Sequence, residues 1–412
     1  MNPQQPVLIT PVDEHMGLDI ARSLGRKGIT VYGMDANAKS PGCYSKYIHF
    51  VPGADPEVED EHLFVQSLIQ FGQQQSARTV LYPLSDRHAL VASQYRSDLQ
   101  PYFDFVMPDH QTMEDFATKD GLLRLARQFN VPAPASYFIE NLEHLHSLCR
   151  QLQFPAILKP TESTYWHTEA ITRLLRRGFF AGRAKVIYCP DEKSLIEAYQ
   201  TIAAHDDRMI VQEVIPGEDE ALVYLAVYFN RQSQPLGYIA GRKHRIIPTG
   251  FGSASYVRTI HDPELIDLGI SFLQKARYQG HGGIEFKKDP RDGLYKLIEV
   301  NTRFGMWDGL SVLCGVDLPY LSYCDATGQP VPPRFEYQDG LIWIDWQRDL
   351  RAAWDYRKQH KLTAAAWLRS IRGKKMSAIY DRDDWRPGFR FTLGLAQKAF
   401  DRLNTNSRST RH

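Results

Sequence analysis

Short apolar runs alternate with helical patterns over the N-terminal quarter of the chain. The runs VLIT and ITVYGMD, at 7–10 and 29–35, are typical of buried strands, and GLDIARSLGRKG between them repeats apolar residues at helical spacing. TVLYPLSD and FDFVMP, which begin at Thr79 and Phe103, predict two more strands. This order predicts a doubly wound, Rossmann-like α/β domain over residues 1–110.

The loop after the first predicted strand lacks the glycine pattern by which such domains bind dinucleotides. Where G-x-G-x-x-G would cradle a pyrophosphate, the chain reads TPVDEHMG, and the side chains of Asp13 and Glu14 would repel phosphate. A nicotinamide-dependent oxidoreductase is therefore the weaker interpretation. A structural role, or a role on the substrate side, fits the loop better.

The middle of the chain mixes helical and strand patterns. The segment DFATKDGLLRLARQFN has a helical pattern, with Lys119 near its start and off its apolar face. FPAILKP is a short apolar strand that ends with Lys159 and a proline. RMIVQEVIPGEDEALVYLAVYFN then reads as strand, turn and strand.

The stretch from Gly282 to Arg303 has the pattern of a β-hairpin. Two strand-like runs, GIEFKK and LYKLIEVNTR, flank the turn formers DPRDG, so that Glu285 is expected opposite Glu299. Because side chains alternate along a strand, we expect Leu297, Glu299, Asn301 and Arg303 on one face, and Ile298 and Val300 on the other.

The facing glutamates of this hairpin suggest a metal site. Carboxylates directly opposite each other repel, and a cation between them removes the repulsion. Glu285, Glu299 and Asn301 offer only oxygen ligands, which suit a hard ion such as Mg²⁺ that also bridges phosphates. The hairpin therefore predicts a site for Mg²⁺ and a nucleotide. Taken alone, a solvated hairpin with scattered charges explains the same residues.

The sequence contains two basic stretches whose roles the pattern alone does not decide. Residues 161–185 combine arginines with aromatic residues, as a lid over phosphates, a nucleic-acid patch or a helix with one solvated basic face would do. The later stretch GRKHRIIPTGFGSASYVRTI places Lys243, Arg245 and Arg258 around a glycine–serine loop.

The bulk composition narrows the class of protein. The 412 residues carry a net charge of +1, which argues against nucleic acid or an anionic membrane as the main partner. The five cysteines are scattered, so a disulfide framework or a zinc site is not expected and a reducing compartment fits. Residues 1–6 do not resemble a signal peptide, and no apolar run approaches the ~20 residues that cross a bilayer. We expect a cytoplasmic protein without an integral membrane segment.

The composition changes from Pro330 onwards. Residues 329–402 form a predicted C-terminal extension, and the polar residues 403–412 predict a disordered tail. Within the extension, LIWIDWQRDLRAAW is aromatic and amphipathic. Its tryptophans would either dock on a lipid-linked or polymeric substrate, or pack on their own domain or a second subunit, which leaves a homodimer open.

Four features of the sequence occur in the same order as in the ATP-grasp superfamily, which the chain therefore resembles. They are Lys119, the strand that ends at Lys159, the segment VQEVIPGEDE and the acidic hairpin. The resemblance covers Val7 to Gly328 and implies an α+β ATP-grasp domain over residues 111–328, with a small lobe at about 132–215 and a large lobe at about 216–328. The N-terminal domain is similar to the one that precedes ATP-grasp in biotin carboxylase and carbamoyl-phosphate synthetase. Within the superfamily, the chain is most similar to carboxylate–amine ligases related to D-aspartate ligase.

The resemblance implies a nucleotide site. Lys119 and Lys159 match the two lysines that contact the ATP phosphates. Glu220 matches the acid that binds the ribose hydroxyls, with Glu218 as the alternative. The adenine hinge corresponds to Gln212, Glu213, Val214 and Ile215, and Ile215 is the expected donor because Pro216 has no N–H. The metal ligands correspond to Glu285, Glu299 and Asn301.

The resemblance also implies a reaction. ATP-grasp enzymes transfer the γ-phosphoryl group of ATP to a carboxylate, and an amine then attacks the acyl phosphate to give an amide, ADP and phosphate. Arg303 matches the arginine near the transferred phosphate, and Lys243, Arg245 and Arg258 are expected to hold the carboxylate or acyl phosphate. The expected cofactors are ATP and two Mg²⁺ ions, with Mn²⁺ as an alternative. The expected substrates are small-molecule or cell-envelope-precursor carboxylates and amines, and no nucleic acid.

One segment departs from the family. Many ATP-grasp proteins have a glycine-rich phosphate loop after the second lysine's strand, whereas this chain has TESTYWHTEAITRLLRRGFFAGR. Two other functions stay open: a nucleotide-binding module that controls assembly without catalysis, and a ligase that joins a carboxylate to a thiol. The complete set of Glu285, Glu299, Asn301 and Arg303 favours catalysis.

Overall fold

A computed structural model describes residues 4–12, 15–161, 166, 168, 171 and 186–409, with side chains to residue 397. Most of the basic–aromatic segment 161–185 lies outside these residues, as do Asp13 and Glu14. The interpretations of that segment and of the two acids therefore stay predictions.

The N-terminal domain is a five-stranded parallel sheet flanked by helices. Its strands are β1 (Val7–Thr10), β2 (Val31–Asp35), β3 (Ile48–Pro52), β4 (Thr79–Pro83) and β5 (Phe103–Phe105), in the order β3-β2-β1-β4-β5. Its helices are His15–Gly25, Glu61–Gln73, Asp86–Gln94 and Arg96–Leu99. The doubly wound domain predicted from the sequence is confirmed.

A small antiparallel sheet follows. Its strands are β6 (Ser136–Phe138), β7 (Ala156–Pro160), β8 (Ile187–Cys189) and β9 (Met209–Glu213), in the order β6-β9-β7-β8. Helices Leu142–Cys149 and Glu192–Ala203 share one apolar core with it, and helices His110–Ala117 and Lys119–Gln128 precede it.

The largest sheet has seven strands. They are β10 (Leu222–Phe229), β11 (Pro235–Ile247), β12 (Ser253–Ile260), β13 (Gly280–Lys288), β14 (Tyr295–Asn301), β15 (Ile342–Ile344) and β16 (Lys375–Ser377), in the order β14-β13-β10-β11-β12-β15-β16. The helices of this part are Pro263–Lys275, Leu310–Cys314, Leu318–Ala326, Trp346–Lys358, Ala364–Ser370 and Trp385–Ser409.

The C-terminal extension is continuous with the large sheet, because β15 pairs with β12 and β16 pairs with β15. Trp343 of β15 is fully buried in the core of its own chain, whereas Trp354 is more than half exposed. Of the alternatives for the tryptophan-rich segment, packing on its own domain therefore holds for Trp343. Among the described helices, none is both long and apolar enough to cross a membrane.

Both faces of the large sheet are covered. On one face, Tyr224 and Tyr228 share a core with Met16 and Ile20 of the N-terminal domain. On the other face, Leu225 and its neighbours pack with the helices Lys119–Gln128 and Pro263–Lys275. Strands that are buried on both faces are apolar throughout. This explains why β10 reads LVYLAVYF, with every residue buried.

Candidate active site

The acidic hairpin forms as the sequence predicts. Strands β13 and β14 pair antiparallel, with Glu285 directly opposite Glu299 and Gly283 opposite Asn301. Glu285 is buried, so its carboxylate needs a compensating charge. The prediction of two facing acids on a strand pair is confirmed.

A bulge in β14 changes the predicted faces. Phe286 pairs with Leu297, while Glu285 pairs with Glu299, so Ile298 is the extra residue between the two pairs. Leu297 consequently packs with Phe286 and Val300 in the apolar core. The prediction that Leu297 shares a face with Glu299 is wrong, because strict alternation does not hold across a bulge.

The ammonium of Lys243 supplies positive charge at the hairpin. It is ion-paired with the Glu285 carboxylate, and both side chains are about nine-tenths buried. The two residues lie on strands separated by β10, where Tyr224 pairs with both Glu285 and Gly241. Lys243 and Glu285 are 42 positions apart, and only the order of strands in the sheet brings them together.

The two predicted phosphate lysines converge on one small cavity. Lys119, Lys159, Gln212 and Ile298 all line it. Lys159 Nζ donates to Gln212 Oε1 at 2.8 Å. Burial lowers the pKa of Lys159 to about 7, with a contribution in the same direction from the Lys119 ammonium and an opposing one from Glu299. The small antiparallel sheet, the helix that starts at Lys119 and strand β14 of the hairpin therefore all contribute to this cavity.

Two backbone N–H groups of the predicted adenine hinge already have hydrogen-bond partners within the protein. The N–H groups of Glu213 and Val214 donate to the carbonyl oxygens of Ala135 and Pro155. The Glu213 carboxylate accepts from the Ala135 N–H at 2.9 Å. These bonds fix the strand end and leave Ile215 as the predicted adenine donor.

Three consecutive acids after the hinge diverge to different partners. Glu218 is ion-paired with Lys361 at 2.5 Å, and buried Asp219 accepts from the Tyr356 hydroxyl. Glu220 lies 3.1 Å from Nδ1 of His244, and this hydrogen bond lowers the pKa of Glu220. Since Glu218 binds the C-terminal extension, the ribose role stays with Glu220 as a prediction.

Arg303 connects the hairpin to the N-terminal domain. Its Nε donates to Asp86 Oδ1 at 2.7 Å, and its Nη1 lies 3.6 Å from the sulfur of Met16. Asp86 begins the helix after β4, and Met16 is in the helix after β1. The N-terminal domain therefore forms one wall beside the acidic hairpin.

Sequence comparison finds two curated relatives, and no family model matches the chain. The chain is 26% identical to D-aspartate ligase of Enterococcus faecium over 292 residues, which are 68% of this chain and 66% of that protein. It is 24% identical over 243 residues to a putative urea carboxylase of Emericella nidulans, covering 55% of this chain and 18% of that protein. The chain thus spans less than two thirds of the length of either relative.

Solved structures give the fold. Biotin carboxylase from Campylobacter jejuni, solved as a β,γ-ATP complex, has a TM-score of 0.63 at 16% identity, over 80% of this chain and 72% of that one. N5-carboxyaminoimidazole synthetase from Staphylococcus aureus has a TM-score of 0.60 at 14% identity, over 80% and 78%. The chain has the ATP-grasp fold. The fold and the resemblance expected from the sequence are confirmed.

Two of the residues that are expected to bind the substrate have partners within the protein. The guanidinium of Arg245 binds the carboxylate of buried Asp349 through two bonds of 2.7 and 2.9 Å and stacks on the ring of Tyr256. Arg258 donates to the Tyr256 hydroxyl at 2.5 Å and to the Ser370 carbonyl at 2.7 Å. Both arginines therefore hold the C-terminal extension on the sheet. The expectation that they hold a substrate carboxylate stays a prediction, and Lys243 lies at the hairpin.

Sequence reasoning missed a group of buried polar residues where the large sheet packs on the N-terminal domain. Asp308 accepts from the Gly305 N–H at 2.6 Å, and burial raises its pKa to about 7. Tyr224 and Asp19 are also buried nearby, since a methyl group at Gly305 would overlap the Tyr224 hydroxyl and one at Gly309 would overlap the Asp19 carboxylate. No local motif marks these residues, because they come from three distant parts of the chain.

Proposed function

We propose that this protein is an ATP-dependent ligase that phosphorylates a carboxylate and joins it to an amine, with release of ADP and phosphate. One observation supports the proposal: Lys119 and Lys159 line one cavity with Ile298, which precedes Glu299 on the strand where Glu299 faces Glu285. Phosphoryl transfer depends mainly on positioning and on charge neutralisation, which is what two lysines opposite two carboxylates can supply.

The nucleotide would lie between the small lobe and the large sheet. Lys119 and Lys159 would contact its phosphates, and Ile215 would donate to adenine. The ammonium of Lys159 is already held by Gln212, so it needs little reorganisation on binding. Because its pKa is lowered to about 7, an arriving phosphate would also favour its charged form.

The residues of the hairpin fit a hard divalent cation. Glu285, Glu299 and Asn301 offer oxygen ligands on paired strands, and Lys243 would have to leave Glu285 for a metal ion to bind there. Mg²⁺ held there would neutralise charge on the phosphate oxygens. Two ions, and Mn²⁺ as a substitute, are part of the proposal.

The substrate carboxylate would lie between the hairpin and the N-terminal domain. Arg303 is oriented there by Asp86, and Lys243 would exchange its contact with Glu285 for the substrate or acyl phosphate. The relative named D-aspartate ligase makes amino acids the first class of substrate to test, with cell-envelope precursors as the other partner. We place the reaction in the cytoplasm, and a homodimer stays a prediction.

The test measures ADP and phosphate release with Mg²⁺, ATP and pools of carboxylates and amines. A productive pair should stimulate release, and Glu299→Gln should lower turnover by about a hundredfold or more, since it removes one charge of the acid pair. The matched control is Glu264→Gln, an exposed acid paired with Lys288 outside the cleft, which should keep full activity. Full activity in Glu299→Gln would refute the metal assignment.

The second candidate is a nucleotide-binding module without catalysis. The closed ion pair between Lys243 and Glu285 favours it, because that lysine satisfies the acid without a metal. Nucleotide binding by calorimetry, with no pool of amines or thiols raising ADP release, would select the module over the ligase. Release stimulated only by thiols would select a carboxylate–thiol ligase.

A further inference from the structure

One side of the first turns of the C-terminal helix Trp385–Ser409 carries exposed apolar side chains. Trp385, Phe389 and Leu393 follow each other at intervals of four residues, which places them along one side of the helix. Their exposed fractions are 58%, 54% and 46%, and the rings of the two aromatic residues touch edge to face. Contiguous exposed apolar patches are typical of surfaces that bind other proteins or membranes.

The opposite side attaches the helix to the rest of the protein. Pro387 and Gly388 are buried, and Gly388 lies so close to the ring of Tyr380 that a methyl group there would be 2.6 Å from Cδ1. Arg390 stacks on Tyr44 of the N-terminal domain, 4.2 Å from the ring centre, and donates to its hydroxyl. The helix is therefore held with its apolar row facing outwards.

Positive charge is concentrated in the same segment. Residues 385–412 contain six lysines or arginines and one aspartate, a net charge of +5. The whole chain carries only +1, so residues 1–384 together carry −4. Arg386 is exposed immediately beside the apolar row. The net charge of +1 is the sum of a basic C-terminal segment and an acidic remainder, so it does not exclude a local attraction to an anionic membrane.

We propose that the helix Trp385–Ser409 docks the protein on the surface of a membrane that contains anionic lipids. Helices that lie in the membrane interface combine an aromatic, apolar side with basic residues, and the basic residues are attracted to anionic headgroups. The helix lies on the membrane and does not span it. The competing occupant, a second copy of this chain, is disfavoured because pairing two such helices would bring two charges of +5 together.

The test is co-sedimentation of the full chain with vesicles of phosphatidylcholine, alone or mixed with phosphatidylglycerol. Binding should be about tenfold or more stronger on the mixed vesicles and should weaken with added salt. Replacing Trp385, Phe389 and Leu393 together with serine should lower binding by about tenfold or more. Trp354→Ser is the matched control: Trp354 is also 58% exposed, but it lies on the helix Trp346–Lys358, and binding should not change.

Arg386→Glu separates the electrostatic from the apolar contribution. It should weaken binding to the mixed vesicles and leave binding to phosphatidylcholine unchanged. Equal binding to both vesicles, or no loss in the triple variant, would overturn the proposal. A dimer in light scattering that the triple variant dissociates would assign the surface to a second copy instead. Nucleotide binding does not involve these residues, so it should be unchanged in every variant and reports separately on the proposed ligase site.

Discussion

Replacing Asp308 with asparagine should change how the stability of the protein depends on pH. The Asp308 side chain is 1% exposed, and burial raises its pKa to about 7 from the ordinary value of 3.8. The charged and titratable groups around it are Asp19, Tyr224 and Arg303, and both the charge of Arg303 and the hydrogen bond with Tyr224 oppose the rise in the pKa of Asp308. Asparagine has nearly the same shape and can still accept from the Gly305 N–H, so the exchange removes mainly the ability to ionise.

The sign follows from proton binding. Between the two pKa values the folded protein holds a proton on Asp308 that the unfolded chain has lost, so the stability from this group is present at low pH and lost as pH rises through about 7. A difference of about three pKa units corresponds to about 4 kcal/mol over the full range, and to about 3 kcal/mol between pH 5 and pH 9. The side chain cannot ionise in the Asp308→Asn variant, so its free energy of unfolding does not fall by this amount.

Urea denaturation over a pH series, followed by tryptophan fluorescence, measures the effect. The stability of Asp308→Asn relative to the unmodified protein should increase by about 3 kcal/mol from pH 5 to pH 9. Asp339→Asn, at an exposed aspartate, should give a curve parallel to that of the unmodified protein. The reasoning would be refuted if the free energy of unfolding of Asp308→Asn, relative to that of the unmodified protein, stayed constant or decreased as pH rises.

Two further substitutions test the packing around the cleft. Gly283→Ala should destabilise the protein by about 1–3 kcal/mol in thermal unfolding, because the new methyl group overlaps the Tyr224 hydroxyl. Gly394→Ala, where nothing lies within 4 Å, should be neutral or stabilising, and equal melting of the two variants would contradict the overlap. Asp349→Ala should cost about 3–5 kcal/mol in urea denaturation, because it leaves the buried guanidinium of Arg245 without its carboxylate. If Asp349→Ala unfolded at the same urea concentration as the unmodified protein and lost only turnover, the result would favour a substrate-binding role for Arg245.

The features that the sequence could predict are those set by neighbouring residues. The turn DPRDG lies between two strand patterns, so the meeting of Glu285 and Glu299 follows from local geometry. The same reasoning fails at Ile298, the residue before Glu299. The alternation of polar and apolar residues does not reveal the bulge at Ile298, so it predicts the wrong face for Leu297.

Features that depend on strand order could not be predicted. The contact of Lys243 with Glu285 requires β10 to lie between β11 and β13. Arg245, two residues after Lys243, pairs instead with Asp349, which is 104 positions away in the chain. A basic run such as GRKHR cannot reveal which of its members faces a substrate, because the partners come from remote segments.

The missing glycine fingerprint of the N-terminal domain is consistent with what the structure places there. In an open parallel sheet, ligands bind at the carboxyl ends of the strands where the strand order reverses. In the order β3-β2-β1-β4-β5, that point lies between β1 and β4. Arg303 from the ATP-grasp hairpin enters at this point, with Met16 after β1 and Asp86 after β4 as its contacts.

Asp86 lies in the first turn of its helix, where the partial positive charge of the helix N-terminus stabilises a carboxylate. In a dinucleotide-binding domain the helix after β1 would bind a phosphate at the same edge of the sheet. Here a carboxylate at that edge binds the guanidinium of Arg303, so the domain presents a cation to the cleft rather than a phosphate-binding loop. The N-terminal domain thus fits the role of orienting Arg303 towards a substrate carboxylate better than the role of a second nucleotide site.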